Sequence, residues 1–298
     1  MYHYFTHAHA HQPPSSNRVI NRRFRARRAD AQTFHTFLKP QCTISTYQSS
    51  HHDARTMATT TRAAPQRLQY FNIEGPAEKA RLAMRIARIP FNDDRVSFDQ
   101  WPAIKPTTPY GQLPVLHLDD GSTLAQSDAI LRYIGRCARA EGAAPHLYPK
   151  GGERAVDEAI ALVDDMLTSW RSCLYIGMNP TALGHECDDG SEFKGSAKHN
   201  EITKRMRETW MRDEFPKYCG FFAKRFENGQ QWLCPGDAPT LADCALVPAL
   251  RRFSSGGIDY VDAACLDAYP EIKAYYERFH AIPEVKEWYA ERAAAASS

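Results

Sequence analysis

The spacing of apolar positions divides the chain into two parts that follow a segment without periodicity. Short apolar runs bounded by Gly, Pro or Asn predict strands, and apolar residues three or four positions apart predict helices. Strand and helix patterns alternate between residues 66 and 143, whereas only helical spacing occurs after residue 152. The pattern therefore predicts an α/β domain over 66–143 and an all-α domain over 152–292, joined by a linker rich in Gly and Pro.

The first domain is predicted to have the order strand, helix, strand, loop, strand, strand and helix. The runs that carry this order are 68–71, 76–88, 91–98, 101–109, 115–118 and a helix opened by Gln126 and Ser127. Pro76 suits the first turn of its helix, since the missing N–H costs nothing there. This order is typical of a thioredoxin-like α/β domain.

The second domain is predicted to be entirely helical. Its helices are expected over about 153–170, 201–226 and 240–253, followed by one that contains Ile272 and Phe279 and stops at Pro283. Thr240 and Asp243 have capping-box spacing at the start of the third helix. Residues 177–199 are polar and interrupted by Gly, so we expect a long loop there.

Residues 1–64 have little apolar periodicity and are rich in His, Arg, Ser and Thr. Such a segment cannot bury enough apolar surface to offset the conformational entropy of ordering, so it is predicted to be a disordered extension. Its many Arg and few acidic residues resemble a transit peptide to the mitochondrion or plastid. The alternative is that translation starts at Met57, which gives a cytoplasmic protein, and we expect this second arrangement.

Composition excludes several classes of protein. The basic residues concentrate before Met57, so the rest of the chain is mildly acidic although the whole carries a net charge of +2, and no nucleic-acid partner is expected. Eight Cys occur singly without a C-x-x-C pair, which indicates reduced thiols rather than disulfides or a zinc site. No run of eighteen apolar residues is present, so no membrane association is expected.

Residues 108–135 contain two devices that suit a small peptide-like ligand. Pro114 lies between a loop and a short apolar strand and can leave a backbone edge unpaired. The helix that opens at Gln126 and Ser127 offers free N–H groups and the positive end of a helix dipole, which suit a carboxylate.

Three segments of the first domain, YFNIEGPAEKARLA, WPAIKPTTPYGQLPVL and LAQSDAILRYI, resemble the sigma-class glutathione transferases. PTLADCALVPAL and YPEIKAYYERFHAIPEVKEW are similar to late helices of the same family. The resemblance covers about residues 66–290. It implies a glutathione transferase fold, one glutathione site per subunit in the first domain, and a homodimer.

The resemblance also implies roles for individual residues. Tyr70 matches the catalytic tyrosine, and Leu113 precedes a cis-proline and pairs through its backbone with the cysteinyl segment of glutathione. Gln126 and Ser127 match the pair that holds the γ-glutamyl carboxylate. The full expected glutathione-binding set is Tyr70, Trp101, Lys105, Gly111, Gln112, Leu113, Pro114, Gln126, Ser127 and Asp165 of the partner subunit, with Trp101 and Lys105 at the glycine carboxylate.

The chemistry of a thiol explains why a tyrosine is needed. A thiol of pKa about 8.5 is mostly protonated at neutral pH, and only the thiolate is a good nucleophile. Lowering that pKa by about two units requires about 2.7 kcal/mol of preferential stabilisation of the thiolate. A hydrogen-bond donor aimed at the sulfur supplies such stabilisation, and the Tyr70 hydroxyl is the expected donor.

The chain departs from the family pattern beside this tyrosine. Relatives commonly read G-R-A-E where this sequence has Gly75-Pro76-Ala77-Glu78, so an Arg is lost, and Glu74 adds an acid. An Arg there would favour the thiolate, and Arg81 and Lys79 are the candidate substitutes. Asp164 and Asp165 resemble a divalent-cation pair of some relatives, but they equally fit a solvated helix face, and no metal is assigned.

The sequence therefore predicts an enzyme that conjugates glutathione to small hydrophobic electrophiles. Glutathione is expected as co-substrate, without a further cofactor. Isomerisation of a lipid in the manner of prostaglandin D synthase, or reduction of hydroperoxides, fits the same site. A non-catalytic glutathione-binding or structural protein is the alternative from another class.

Overall fold

The computed structural model describes residues 66–186 and 192–296. The expectations for residues 1–64 lie outside these ranges. Within them, the chain forms an α/β part followed by a helical part, as the sequence predicts.

The α/β part is built on one mixed sheet of four strands. They are β1 (Gln66–Phe71), β2 (Phe91–Val96), β3 (Val115–His117) and β4 (Thr123–Ala125), in the spatial order β2-β1-β3-β4. β1 is parallel to β2, and the other two pairings are antiparallel. Leu68 and Tyr70 are buried on one face of β1 while their neighbours are partly exposed, as the period of two in a strand requires.

Three helices complete this part. They are α1 (Glu78–Ile86), which follows a 3₁₀ turn (Gly75–Ala77), then α2 (Trp101–Ile104) and α3 (Ser127–Ala140). The parallel pairing of β1 and β2 requires a crossover, and α1 provides it. α1 packs on α3, and the apolar residues of both helices are buried. The prediction of a thioredoxin-like fold is confirmed.

The helical part contains α4 (Glu153–Met178), α5 (Ala197–Asp213), α6 (Phe215–Ala223), α7 (Leu241–Ser254), α8 (Pro270–His280) and α9 (Pro283–Ala296). α7 packs against α4 and also against α1 of the α/β part. Buried apolar residues of both parts belong to one continuous core. This shared core holds α1, α4 and α7 in fixed positions around the cleft described below.

Three predicted helix boundaries are wrong. α4 continues past Trp170 to Met178, because the buried Cys173 and Ile176 extend its apolar face. The single helix predicted over 201–226 is two helices, with Pro216 in the first turn of the second, where it cannot donate to a continuing helix. Pro283 begins the unpredicted α9 rather than only ending the helix before it.

The expected loop over 177–199 is shorter than predicted. Its first two residues belong to α4, a 3₁₀ turn follows at Pro180–Leu183, and α5 begins at Ala197. Residues 187–191 lie outside the described ranges.

The predicted capping box at the start of α7 is confirmed. The Thr240 side chain accepts a hydrogen bond from the backbone N–H of Ala242, and the Asp243 carboxylate accepts one from the backbone N–H of Thr240 at 2.6 Å. No helix among the described residues is both long enough and apolar enough to cross a membrane.

Candidate active site

A cleft of about 760 Å³ lies between the α/β part and the helical part. Its walls come from the turn after β1, the first turn of α3, and the helices α4 and α7. Polar and charged side chains line it together with apolar ones. The polar lining includes Glu74, Lys79, Gln126, Ser127, Asp128, Asp164, Arg251 and Arg252, and the apolar lining includes Ile73, Leu167, Leu174 and Ile258.

Tyr70 reaches the edge of this cleft from the end of β1. Its side chain is only 6% exposed, and its hydroxyl lies against Gly75, which lines the cleft. A Cβ atom placed on Gly75 would stand 2.4 Å from the Tyr70 hydroxyl oxygen. Within the described residues this hydroxyl has no hydrogen-bond partner, so its proton is available to a ligand.

The electrostatic surroundings keep Tyr70 in its neutral form. Burial raises the pKa of Tyr70 above its ordinary value of 10.0, while the positive charges of Arg252 and then Arg81 oppose that rise. The Arg81 guanidinium carbon lies 5.7 Å from the centre of the tyrosine ring. The phenol is therefore protonated at neutral pH and acts as a hydrogen-bond donor.

Gly75 permits this approach for two reasons. Its φ of +47° lies in the left-handed region, which residues with a Cβ rarely adopt. Any side chain at this position would also collide with the tyrosine ring. The turn after β1 can therefore fold over Tyr70 only with glycine here.

Gln126 and Ser127 lie together in the cleft at the N-terminus of α3. Gln126 has a φ of +72°, an unusual conformation for a residue with a side chain and one that concentrates at functional sites. No side chain caps this helix end. The first N–H groups of α3 and the Ser127 hydroxyl are thus oriented for an external acceptor.

The Leu113-Pro114 peptide bond is cis, as the resemblance predicts. Pro114 is buried and precedes β3, whereas Leu113 is half-buried. The backbone N–H and C=O groups of Leu113 form no hydrogen bond with any described residue. They form a short backbone edge that an extended peptide can pair with.

The remaining expected residues cluster on the neighbouring loop rather than on the cleft wall. Trp101 begins α2, is half-buried, and packs edge-on against Phe71 with ring centres 5.3 Å apart. The aliphatic stem of Lys105 lies close to Gly111, since a Cβ there would be 3.5 Å from the lysine Cε. Gln112 is exposed. None of these four residues lines the cleft that contains Gln126 and Ser127.

Acidic residues of α3 and α4 form a cluster with Lys79 in the cleft. The Lys79 ammonium pairs with the Asp128 carboxylate. Burial and a hydrogen bond with Asp128 raise the pKa of Asp164 to about 6, whereas the pKa of Asp128 is lowered, so the two carboxyl groups share one proton below about pH 6. Asp165 is exposed on α4 and makes no contact with a described residue that would hold it.

Replacement of Asp164 by Asn is expected to change how stability depends on pH. Stability that comes from the raised pKa of Asp164 is fully present below its ordinary value of 3.8 and is lost as pH rises through about 6. The difference in melting temperature, wild type minus Asp164→Asn, should therefore decrease as pH rises from 3.8 to about 6 and stay constant above that. Thermal unfolding of both proteins at stepped pH checks this, with Asp165→Asn as the matched loss of one carboxylate from the same helix. A difference that does not vary with pH would contradict the shared proton.

The two cations considered as substitutes for the lost Arg are both held by acidic partners. Arg81 is completely buried, where it donates to Asp93 at 2.8 Å and to Glu78 at 3.0 Å. The same guanidinium binds the carbonyl oxygens of the turn after β1. The charge of Arg81 therefore acts on Tyr70 from a buried position over the face of its ring. The Lys79 ammonium is paired with Asp128.

Arg251 and Arg252 of α7 are functional candidates that the sequence reasoning missed. Arg251 donates to the Glu74 carboxylate at 2.9 Å, so the charge of this acid beside Tyr70 is neutralised from the helical part. Arg252 lines the cleft. The available signal was the pair of adjacent Arg residues that ends an otherwise apolar helix.

The described part of the chain contains no group of three or more His, Cys, Asp or Glu side chains arranged to hold a metal ion. The Asp164 carboxyl group forms a hydrogen bond with that of Asp128.

Comparisons with known proteins agree with this geometry. Residues 76–137 match the family described as "Glutathione S-transferase, N-terminal domain", and residues 192–292 match "Glutathione S-transferase, C-terminal domain". The chain is 32% identical to glutathione S-transferase 1 of Ascaris suum over 226 residues, which cover 76% of this chain and 96% of that protein. Glutathione S-transferase 4 of Caenorhabditis elegans is 31% identical over 228 residues, or 76% and 96% of the two chains.

Solved structures show the same fold. A glutathione S-transferase from Ascaris lumbricoides has a TM-score of 0.58 and 30% identity, and a prostaglandin synthase D of Nilaparvata lugens has a TM-score of 0.60 and 27% identity. Each comparison covers 77% of this chain and 98% of the other. These matches, which cover both parts of the chain, define the class of protein as a glutathione transferase enzyme. The chain belongs to the glutathione S-transferase family, whose members use glutathione as co-substrate.

Proposed function

We propose that the protein conjugates glutathione to small apolar electrophiles through a thiolate that Tyr70 stabilises. The observation that carries this proposal is the state of the Tyr70 hydroxyl. It is a neutral donor, it lies at the edge of the cleft beside Gly75, and it has no partner among the described residues. A thiolate placed there would receive its hydrogen bond, which favours the charged form of the sulfur.

Glutathione is proposed to lie extended across the α/β part, with its sulfur at Tyr70. The γ-glutamyl carboxylate would bind Ser127, Gln126 and the uncapped first turn of α3. The cysteinyl backbone would pair with the free N–H and C=O groups of Leu113, next to Pro114. The glycine carboxylate would meet the loop that contains Trp101, Lys105, Gly111 and Gln112.

The electrophile would bind on the apolar side chains that share the cleft. Ile73 lies on the turn after β1, and Leu167 and Leu174 lie on α4. With a chlorodinitrobenzene, the thiolate would form a bond to the ring carbon that carries chlorine, and chloride would leave with its bonding electron pair. The thiol proton passes to solvent when the thiolate forms. Tyr70 keeps its own proton throughout, because burial raises its pKa.

We further propose that the active form is a homodimer. Asp165 is exposed and held by no described residue, so it is free to reach a glutathione ammonium in a neighbouring subunit. Tyr110, on the same loop as Lys105, is 67% exposed and is of the aromatic type that is enriched at protein interfaces. Both features support an interface beside the glutathione site.

The experiment that tests the function is conjugation of glutathione to chlorodinitrobenzene by the purified protein. Turnover that saturates in both substrates supports the proposal. Retention on immobilised glutathione without turnover of this or other activated aryl halides and enones would contradict it, and would favour a binding protein.

A second candidate is isomerisation of a lipid endoperoxide, which the prostaglandin synthase D of Nilaparvata lugens favours as a similar structure. The same similarity supports our placement of the chain in the sigma class. A thiolate at Tyr70 would serve both reactions, so the apolar lining would decide between them. Product analysis with a prostaglandin endoperoxide distinguishes isomerisation from conjugation.

A further inference from the structure

Five basic side chains lie around Tyr70 and the cleft beside it, and three of them have fixed acidic partners. Lys79 is paired with the Asp128 carboxylate. Arg251 is paired with Glu74. Neither ammonium nor guanidinium is therefore free to face a bound sulfur.

Arg81, the third, is fixed as well. It is completely buried, and its donors bind Asp93, Glu78 and two backbone carbonyls. Its Nη2 lacks a partner among the described residues, but the side chain has no exposed surface toward the cleft. Arg81 contributes by lying over the ring of Tyr70.

No described residue forms an ion pair or a hydrogen bond with the guanidinium of Arg171 or of Arg252. Arg171 is exposed on α4 and its charge is not among those that act on the pKa of Tyr70, whereas the charge of Arg252 is, so Arg252 is the candidate. It is half-buried at the end of α7 and lines the cleft together with Gly75, against which the Tyr70 hydroxyl lies. Its charge also acts on the phenol more strongly than that of Arg81. Arg252 is thus a free cation within electrostatic range of the atom that would contact the sulfur.

We propose that Arg252 supplies the positive charge that favours the glutathione thiolate at Tyr70. This inference rests on the proposed function. The charge then comes from the helical part rather than from the start of α1. When glutathione binds, the thiol proton leaves to solvent and the sulfur keeps the electron pair.

The structure explains why the charge can act at this position. A cation near a partly enclosed anion is screened less than one in open solvent, so its preference for thiolate over thiol is retained. Because Glu74 is neutralised by Arg251, it does not cancel the charge of Arg252. Two adjacent Arg residues on one helix therefore have separate roles.

The test is a pH titration of protein-bound glutathione, followed by the ultraviolet absorbance of the thiolate. Wild type, Arg252→Gln and Arg252→Lys are compared with Arg205→Gln, which removes the same charge from an exposed site on α5. We expect the apparent thiol pKa to rise by about one unit in Arg252→Gln, which is a tenfold lower thiolate-to-thiol ratio at a given pH below it. Arg252→Lys keeps the positive charge, so its apparent thiol pKa should lie close to that of the wild type. Arg205→Gln should have the wild-type pKa.

The same pKa in wild type and Arg252→Gln, with glutathione bound to both, would overturn the inference. An equal shift in Arg205→Gln would also overturn it, since the effect would then reflect net charge alone. Wild-type protein that binds glutathione without forming thiolate below the pKa of free glutathione would instead overturn the proposed function. If Arg252→Lys has the same raised pKa as Arg252→Gln, and both are less thermally stable than the wild type, Arg252 has a structural role. That result would count against the proposal.

Discussion

Replacement of Tyr70 by Phe is expected to lower kcat/KM for conjugation at least tenfold, which corresponds to about 1.4 kcal/mol or more of transition-state stabilisation. Phenylalanine keeps the buried ring and its packing in the core but removes the donor from the sulfur. Steady-state kinetics with chlorodinitrobenzene, together with thermal unfolding, measure both consequences. The melting temperature should change little, because the hydroxyl has no partner among the described residues to lose.

Tyr260→Phe is the matched control for this substitution. Tyr260 is 42% exposed and lies outside the cleft, so removal of its hydroxyl should leave kcat/KM unchanged. Unchanged activity in Tyr70→Phe would remove Tyr70 from the mechanism. A large fall in melting temperature would show that Tyr70 matters for folding rather than for the thiol.

Replacement of Asp243 by Ala is expected to destabilise the fold by about 3–5 kcal/mol, because each buried donor that loses its acceptor costs about 1–3 kcal/mol. Asp243 is fully buried, and each carboxylate oxygen accepts two hydrogen bonds. Oδ1 accepts from the Leu233 N–H and the Tyr275 hydroxyl, and Oδ2 accepts from the Thr240 N–H and hydroxyl. Alanine would leave all four donors without an acceptor in an apolar core. Urea unfolding measures the loss.

Asp243→Asn should fall between the wild type and the alanine variant. The amide keeps one accepting oxygen and turns an NH₂ group toward the other pair of donors. Asp237→Ala, at an exposed site in the same loop region, should be close to neutral. An Asp243→Ala protein as stable as the Asp237→Ala control would show that the network contributes little to the fold.

The parts of the site that depend on local sequence could be predicted. Leu113 and Pro114, and likewise Gln126 and Ser127, are adjacent residues whose roles follow from backbone chemistry at a loop or a helix start. Their cis bond and uncapped helix end are present in the structure. The capping box of α7 was predictable for the same reason, since its members are three residues apart.

The charges around Tyr70 could not be predicted, because they come from distant positions. Arg251 meets Glu74 across 177 residues of sequence, and no spacing rule links the two. Whether Lys79 or Arg81 would face the cleft depended on where Asp128 and Asp93 lie, which only the packing of α3 and β2 against α1 decides. The structure shows that Lys79, Arg81 and Arg251 are paired with acids, and that Arg252 acts on Tyr70 without such a partner among the described residues.

The predicted helix boundaries were wrong at positions where a proline can either end one helix or begin the next. Pro283 follows the end of α8 and is the first residue of α9. Pro216 lies in the first turn of α6, within a stretch that has helical periodicity on both sides. A proline removes one N–H donor in either case, so sequence alone does not tell an end from a beginning. The tertiary contacts of α9 with α1 decide that the chain continues as a helix.

A crystal structure with bound glutathione tests the proposed site most directly. The glutathione sulfur should lie about 3 Å from the Tyr70 hydroxyl oxygen, within hydrogen-bonding range. The cysteinyl backbone should pair with Leu113, and the γ-glutamyl carboxylate should meet Ser127 at the start of α3. Glutathione bound elsewhere, or bound in this cleft with its sulfur turned away from Tyr70, would contradict the mechanism.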